Sequence, residues 1–205
     1  MCNTVQYKGY HGTHKKNFDK IDTPKKFKHN KLPNDLGNGV YFFINRKEKV
    51  EEAIINAELY LKRWKPDYRD KIIVEVLINL YNEKILDLDD ENNQEIFNLF
   101  VEENEENIYN EIQSLDSSNS FNRGQMDGLI LEMMIKHFDL NLQAIIKETY
   151  TQFDESKIRK RSNIPNGREM CLKDYNAIKS KCICEKRLQI YWKGENNEPS
   201  IKKLH

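Results

Sequence analysis

Apolar positions along this chain fall into short runs whose period changes several times. Val5 to Tyr10 is β-prone and leads into Gly12-Thr13, which predicts a strand ending at a sharp turn. Val40 to Ile44 is a continuous apolar run opened by Gly39 and reads as a buried strand. Between them, residues 14–38 lack periodicity and hold Pro24 and Pro33. That stretch predicts a long loop with at most one helical turn, and loops of this length in compact domains are usually functional or mobile. From Lys47 to Lys65, Val50, Ala53, Ile54, Ala57, Leu61 and Trp64 recur at a three/four spacing, and Pro66 stands where the helix should stop. Ile72 to Ile78 is a clear strand and Ile85 to Leu88 a candidate for another.

Residues 92–113 suit one acidic amphipathic helix, with Ile96, Phe97, Phe100, Ile108 and Ile112 near one face. After a Ser/Asn loop, Gln125 to Phe138 is a strong helix whose stripe (Met126, Leu129, Ile130, Met133, Met134, His137, Phe138) predicts core packing. Ala144 to Phe153 is strand-like, with a helix open for its first half. Residues 154–168 form a polar, basic loop around Pro165, and Met170–Leu172 and Cys182–Ile190 read as strands. Neither an internal repeat nor a domain boundary is visible. The expectation is a single mixed α+β domain over residues 1–205.

Composition narrows the class. Of 205 residues, 38% are hydrophobic and 32% charged, as expected of one globular domain. No apolar run approaches the roughly 18 residues of a membrane-spanning helix. The first eight residues, Met1 to Lys8, lack the apolar core of a signal peptide. Four cysteines make no disulfide framework, so a reducing cytoplasm is the expected compartment. The net charge of zero hides an asymmetry. His14 to Leu36 carries seven Lys against three Asp, Asp87 to Asp116 carries eleven acids and no Lys or Arg, and Lys157 to Arg187 carries ten basic residues against three acids. Brought together, the two basic segments would make a site for phosphates; kept apart, they are solvated faces.

Three short stretches carry chemistry. They are Tyr10-His11-Gly12-Thr13, Gly37-Asn38-Gly39-Val40-Tyr41-Phe42-Phe43, and Gly167-Arg168-Glu169-Met170-Cys171-Leu172 followed by Ile178. In that order and strand context they resemble the His-Tyr-Glu branch of the ADP-ribosyltransferase superfamily, which includes diphtheria toxin-like and poly(ADP-ribose) polymerase-like enzymes. The resemblance runs from residue 7 to about 185. It implies two small antiparallel sheets packed around an NAD cleft with flanking helices, NAD as substrate, and no metal. It also implies His11, Tyr41 and Glu169 as catalytic residues, with His11, Gly12, Thr13, Gly39 and Tyr41 holding the dinucleotide.

The chemistry suits those residue types. Breaking the bond between nicotinamide and ribose builds oxocarbenium character on the sugar, and a carboxylate beside it, Glu169, stabilises that charge. Tyr41 would stack on the cationic ring, and His11 would bond an adenosine-ribose hydroxyl. The Gly12 backbone would pair with the carboxamide, its missing side chain letting the ligand approach. Lys15 or Lys16 would reach the diphosphate. Two departures matter. Arginine-specific relatives carry Glu or Gln two residues before the catalytic Glu, where this chain has Gly167, so arginine transfer is disfavoured. Polymerase-like relatives have a second Tyr early in the helix after the second strand, whereas here the first helix Tyr is Tyr60; mono-transfer is expected.

In such enzymes the loop before the catalytic Glu approaches the acceptor. Here it holds Lys157, Arg159, Lys160, Arg161 and Arg168 with Asn163 and Asn166, a composition suited to a phosphate backbone. Arg159, Lys160, Arg161 and Arg168 are the candidate acceptor-binding residues. The chain also resembles the small bacterial toxins of this superfamily in toxin–antitoxin and phage-defence systems. The leading expectation is an NAD-dependent mono-ADP-ribosyltransferase modifying nucleic acid, RNA before DNA, with an antitoxin protein as possible partner and no membrane. A protein acceptor, a catalytically inactive NAD- or RNA-binding module, and an RNA 2′-phosphotransferase, for which only His11 fits, remain alternatives. Cys182 and Cys184, alternating on one strand face without a second ligand pair, read as structural rather than metal-binding.

Overall fold

The computed structural model describes residues 3–23, 32–47, 49, 51–115, 123–153 and 162–184. Seven strands form one mixed sheet: β1 (Thr4–His14), β2 (Val40–Ile44), β3 (Lys71–Tyr81), β4 (Ile85–Asp87), β5 (Ala144–Thr149), β6 (Gly167–Leu172) and β7 (Ile178–Ile183). Their order across the sheet is β4-β5-β6-β2-β1-β3-β7, and every neighbouring pair is antiparallel except the parallel β4 and β5. The α-helices are α1 (Glu52–Trp64), α2 (Glu91–Glu103), α3 (Glu105–Ser114) and α4 (Arg123–His137). None of the described helices is long and apolar enough to cross a membrane.

A single hydrogen-bonded sheet therefore stands where two small ones were expected. The seam between its halves is narrow: β1 and β2 share only two pairs, Gly9 with Ile44 and Tyr10 with Phe43. On one face, Val74, Val76 and Ile78 of β3 join Val40, Phe42 and Ile44 of β2 and Ala144, Ile146, Met170 and Leu172 of β5 and β6 in one buried cluster. No α-helix contributes to that cluster, so the halves cover one another, with only short 3₁₀ turns closing the ends. Period-2 alternation explains the sorting: successive strand residues point to opposite faces, and the residues that β3 buries on this face are every second one from Ile72 to Leu80.

The other face carries the helices in two groups. Ala53, Ala57 and Leu61 of α1 pack on Tyr10, Phe43 and Ile73. Phe100, Ile108, Ile130 and Met134 of α2, α3 and α4 pack on Ile145 and Cys171. The surface between the groups is left open as a cleft.

Several boundaries move from their sequence expectation. β1 does not end near Tyr10 at a turn; β3 pairs with it at every residue to His14, so His11, Gly12 and Thr13 lie inside a strand. The helix expected from residue 47 starts at Glu52, where the Asn45 side chain accepts from the Ala53 amide at 3.0 Å. The acidic helix expected over 92–113 is two helices broken at Asn104, whose side-chain amide donates back to the Phe100 carbonyl at 2.9 Å. In α4 the buried residues are Leu129, Ile130, Leu131 and Met134, while Phe138 lies past the helix and is exposed. Cys184 is buried just after β7 and Cys182 is exposed, so the two do not share an environment. The strand expected over 185–190 lies outside the described residues.

Candidate active site

A cleft of about 1140 Å³ opens between α1 and α4, and His11, Gly12, Tyr41 and Glu169 all line it. Three strands bring them there. The β2–β6 register sets Tyr41 opposite Cys171 and Phe43 opposite Glu169, so the Tyr and the Glu share the helix-bearing face. His11 sits just past the last β1–β2 pair. Its Nδ1 lies 2.7 Å from the Tyr41 carbonyl oxygen, a side-chain bond where ladder pairing has stopped. A carbonyl only accepts, so Nδ1 carries the proton and Nε2 is the acceptor nitrogen of the neutral ring.

The glycines and Thr13 have packing reasons of their own. A Cβ on Gly12 would stand 2.6 Å from the Ala57 carbonyl oxygen and 2.7 Å from Leu61 Cγ, so Gly12 is what lets α1 lie on β1. Gly39 is not among the cleft-lining residues; a Cβ there would meet Cys171 Sγ at 2.4 Å and the Leu172 carbonyl oxygen at 2.6 Å. Thr13 is buried away from the cleft and accepts from Asn17 Nδ2 at 3.1 Å.

Tyr41 is held by its hydroxyl as much as by its ring. The hydroxyl donates to the Gly37 carbonyl at 2.9 Å and accepts from the Leu36 amide at 2.8 Å. Burial, followed by the nearby Cys171 thiol and Asp35 carboxyl, pushes the phenol well above its ordinary pKa. The turn it grips, Asn34 to Gly37, closes with a Gly37 amide to Asn34 carbonyl bond of 2.9 Å, and Gly37 has a φ of 84° that favours glycine. Glu132 of α4 accepts from the Asn38 amide at 2.7 Å and from Lys173 Nζ at 2.7 Å. At Gly128 the helix backbone presses so close that a Cβ would stand 1.7 Å from the Asn34 carbonyl oxygen. Asp35 projects from this fixed turn into the cleft.

Glu169 lies in the cleft floor. Burial first, and then the charge of Asp35, push its carboxyl up from 4.5 to about 7. Thr151 Oγ1 donates to it at 2.9 Å and pulls the other way. Thr149 lies near the same carboxyl, yet its Oγ1 is buried without a hydrogen bond of normal geometry. Tyr60 faces Glu169 across the cleft; burial and that carboxylate raise its phenol pKa. The aromatic wall is completed by Tyr10 and by Trp64, which is 47% exposed and donates its indole N–H to the Gln152 carbonyl at 3.0 Å. Asp35, Tyr60 and Trp64 escaped sequence reasoning. Tyr60 stands in the sequence only as a Tyr too late in its helix to match the family pattern, Trp64 belongs to the apolar stripe yet is half exposed, and Asp35 sits in a stretch without periodicity.

Among the described lining residues, four carboxylates (Asp35, Asp127, Glu148, Glu169) face one ammonium, Lys147. Lys15 and Lys16 are exposed and do not line the cleft. Arg168, next to Glu169 on a strand, points away from the floor; it pairs with Asp87 at 2.5 Å and Asp89 at 2.9 Å and is not among the lining residues. Those carboxylates hold its guanidinium above the ordinary value despite burial, which acts to lower it. Arg159, Lys160 and Arg161 lie outside the described residues. Comparison with protein-family models, with curated proteins and with solved structures gave no match.

Proposed function

We propose that this chain is an NAD-dependent mono-ADP-ribosyltransferase with nucleic acid, RNA before DNA, as acceptor. What supports it above all is convergence: His11, Tyr41 and Glu169, 158 residues apart at their extremes, line one deep cleft from three strands. The floor suits the cationic half of NAD. Its excess of carboxylates and its aromatic wall favour a positive ring joined to a ribose, while the diphosphate belongs at the rim. A cleft of about 1140 Å³ also has room for a dinucleotide.

The residues divide the work by position. Tyr41 and Tyr60 offer ring faces to the nicotinamide, Tyr60 taking the place of the second Tyr absent from the start of α1. His11, its Nδ1 bound to the chain, directs Nε2 at a sugar hydroxyl. Glu169 lies where a carboxylate would stabilise the oxocarbenium as the glycosidic bond lengthens. A carboxyl held near neutrality by burial loses its proton when a cation enters beside it, so substrate itself creates the charged form.

For the acceptor, the support is the basic run Lys157 to Arg161 ahead of β6, together with the amide side chains of Gln152 and Asn163 at the cleft. Transfer of radiolabel from NAD to purified RNA, DNA and ribosome-free protein tests both levels. Label in RNA, lost in Glu169→Gln, is the expected result. Label only in protein would move the acceptor and leave the enzyme; no label and no nicotinamide release would leave a binding module.

A further inference from the structure

We propose that Asp35 is a second catalytic carboxylate of the cleft, the group that takes the proton of the nucleophile attacking the ribose. The inference rests on the NAD reading of the same cleft. It starts from a gap. A second carboxylate two residues before Glu169 is sterically excluded here, because a Cβ on Gly167 would stand 2.4 Å from Nδ2 of Asn56. Asn56 is itself buried and donates to the Asn166 carbonyl at 3.1 Å. An acid at that end of β6 has no room.

Asp35 supplies a carboxylate from another element. It lines the cleft with Glu169, close enough for its charge to resist the ionisation of Glu169. Its position is fixed rather than incidental. Leu36, 1% exposed, plugs the core beside it, Tyr41 clamps the turn through both Leu36 and Gly37, and Glu132 with Lys173 holds Asn38. An exposed surface aspartate needs no such scaffold; a group that must meet a reacting atom does.

The groups around the pair separate their roles. Asp35 faces Lys147 of β5, Asp127 of α4, and Tyr41 and Cys171 of β2 and β6. Burial raises the Asp35 carboxyl above its ordinary value, and the Lys147 ammonium pulls the other way. Glu169 faces Asp35, Thr151 and Tyr60, and the charge acting on it is that of Asp35. Position divides them: Asp35, held by the turn and beside the Lys147 ammonium, is the member that receives the nucleophile's proton, and Glu169 on the cleft floor is the member that faces the forming cation. The step balances. The nucleophile's lone pair forms the bond to the ribose carbon, and its proton passes to the Asp35 carboxylate. The C–N bond breaks with its electron pair going to nicotinamide, which leaves neutral.

Chemical rescue tests this. Nicotinamide release from NAD is measured for the full chain and for Asp35→Asn and Glu169→Gln, with water or with sodium azide as nucleophile. Azide is an anion with no proton to lose. Asp35→Asn is expected to lower release in water by about 10²–10³-fold. Azide should restore it and yield ADP-ribosyl azide, detected by mass; Glu169→Gln should not be rescued. Release in water should be largely retained in Asp35→Glu, which also covers the case of an Asn variant that does not fold. An Asn variant with parental rate, or a slow one that azide does not restore, overturns the inference while leaving the enzyme standing. A parent chain that neither cleaves NAD nor transfers overturns the NAD reading and this inference with it.

Discussion

The Tyr41 hydroxyl satisfies two backbone groups at once, so removing that one oxygen strands both the Leu36 amide and the Gly37 carbonyl. An unpaired buried polar group costs about 1–3 kcal/mol. Tyr41→Phe should therefore lower thermal stability by about that much while leaving NAD affinity, read by calorimetry, within about threefold, because the ring remains. Tyr41→Ala should lose both. Glu169 makes the opposite trade. The folded protein holds its proton up to about pH 7, whereas the carboxyl ordinarily releases it near 4.5. The native state thus binds more protons across that window, and stability falls as pH rises through it. Glu169→Gln should abolish transfer yet raise stability at pH 8 by about 1–3 kcal/mol, with little gain at pH 4. Melting curves at the two pH values check this. The meeting of His11, Tyr41 and Glu169 at one cleft was legible in the sequence because each sits in a short motif on a strand. The place of Asp35 beside them was not, because it comes from a turn held by residues 94 positions away, such as Glu132 on Asn38.

At the scale of elements, α1 and β1 meet through a missing side chain. With 2.6 Å to the Ala57 backbone oxygen, a methyl group on Gly12 forces the helix outward. Gly12→Ala should destabilise the fold by about 1–3 kcal/mol. It should also weaken NAD binding several-fold, since α1 carries Tyr60 and Trp64 into the cleft wall; a melt paired with calorimetry separates the two effects. Strand β3 was legible in outline from its alternation. The reach of β1 to His14 was not, because pairing with β3, not local propensity, extends it. The break between α2 and α3 hid for a similar reason: Asn104 fits an acidic helix by composition, and only its bond back to Phe100 shows the end.

For the molecule as a whole, charge is sorted along the sequence. At its start the acidic run is paired, Asp87 and Asp89 both bonding Arg168; under the proposed function, phosphate contact is left to the run from Lys157 to Arg161. Neutralising Arg159, Lys160 and Arg161 together should reduce transfer to RNA at least tenfold while sparing NAD hydrolysis. The log–log salt slope of RNA binding should become shallower by about 0.7 per lost contact. A protein acceptor held by apolar contacts would show little slope in either form. The mixed α+β class was legible in the sequence, but the single seven-stranded sheet was not, because two ladder pairs at a seam are invisible to any local pattern.

Gly128 offers a way to silence the protein without touching its cleft. It packs against the Asn34–Gly37 turn, and a Cβ there would stand only 1.7 Å from the Asn34 carbonyl oxygen. Every other amino acid there must push α4 and the turn apart, and the turn carries Asp35 on one side and the Tyr41 clamp on the other. A substitution at position 128 should therefore act on the cleft through the turn alone. It is also a convenient position for a conditional allele: a small residue such as alanine would sit nearest the threshold, where warming tips the turn out of place and cooling lets it return.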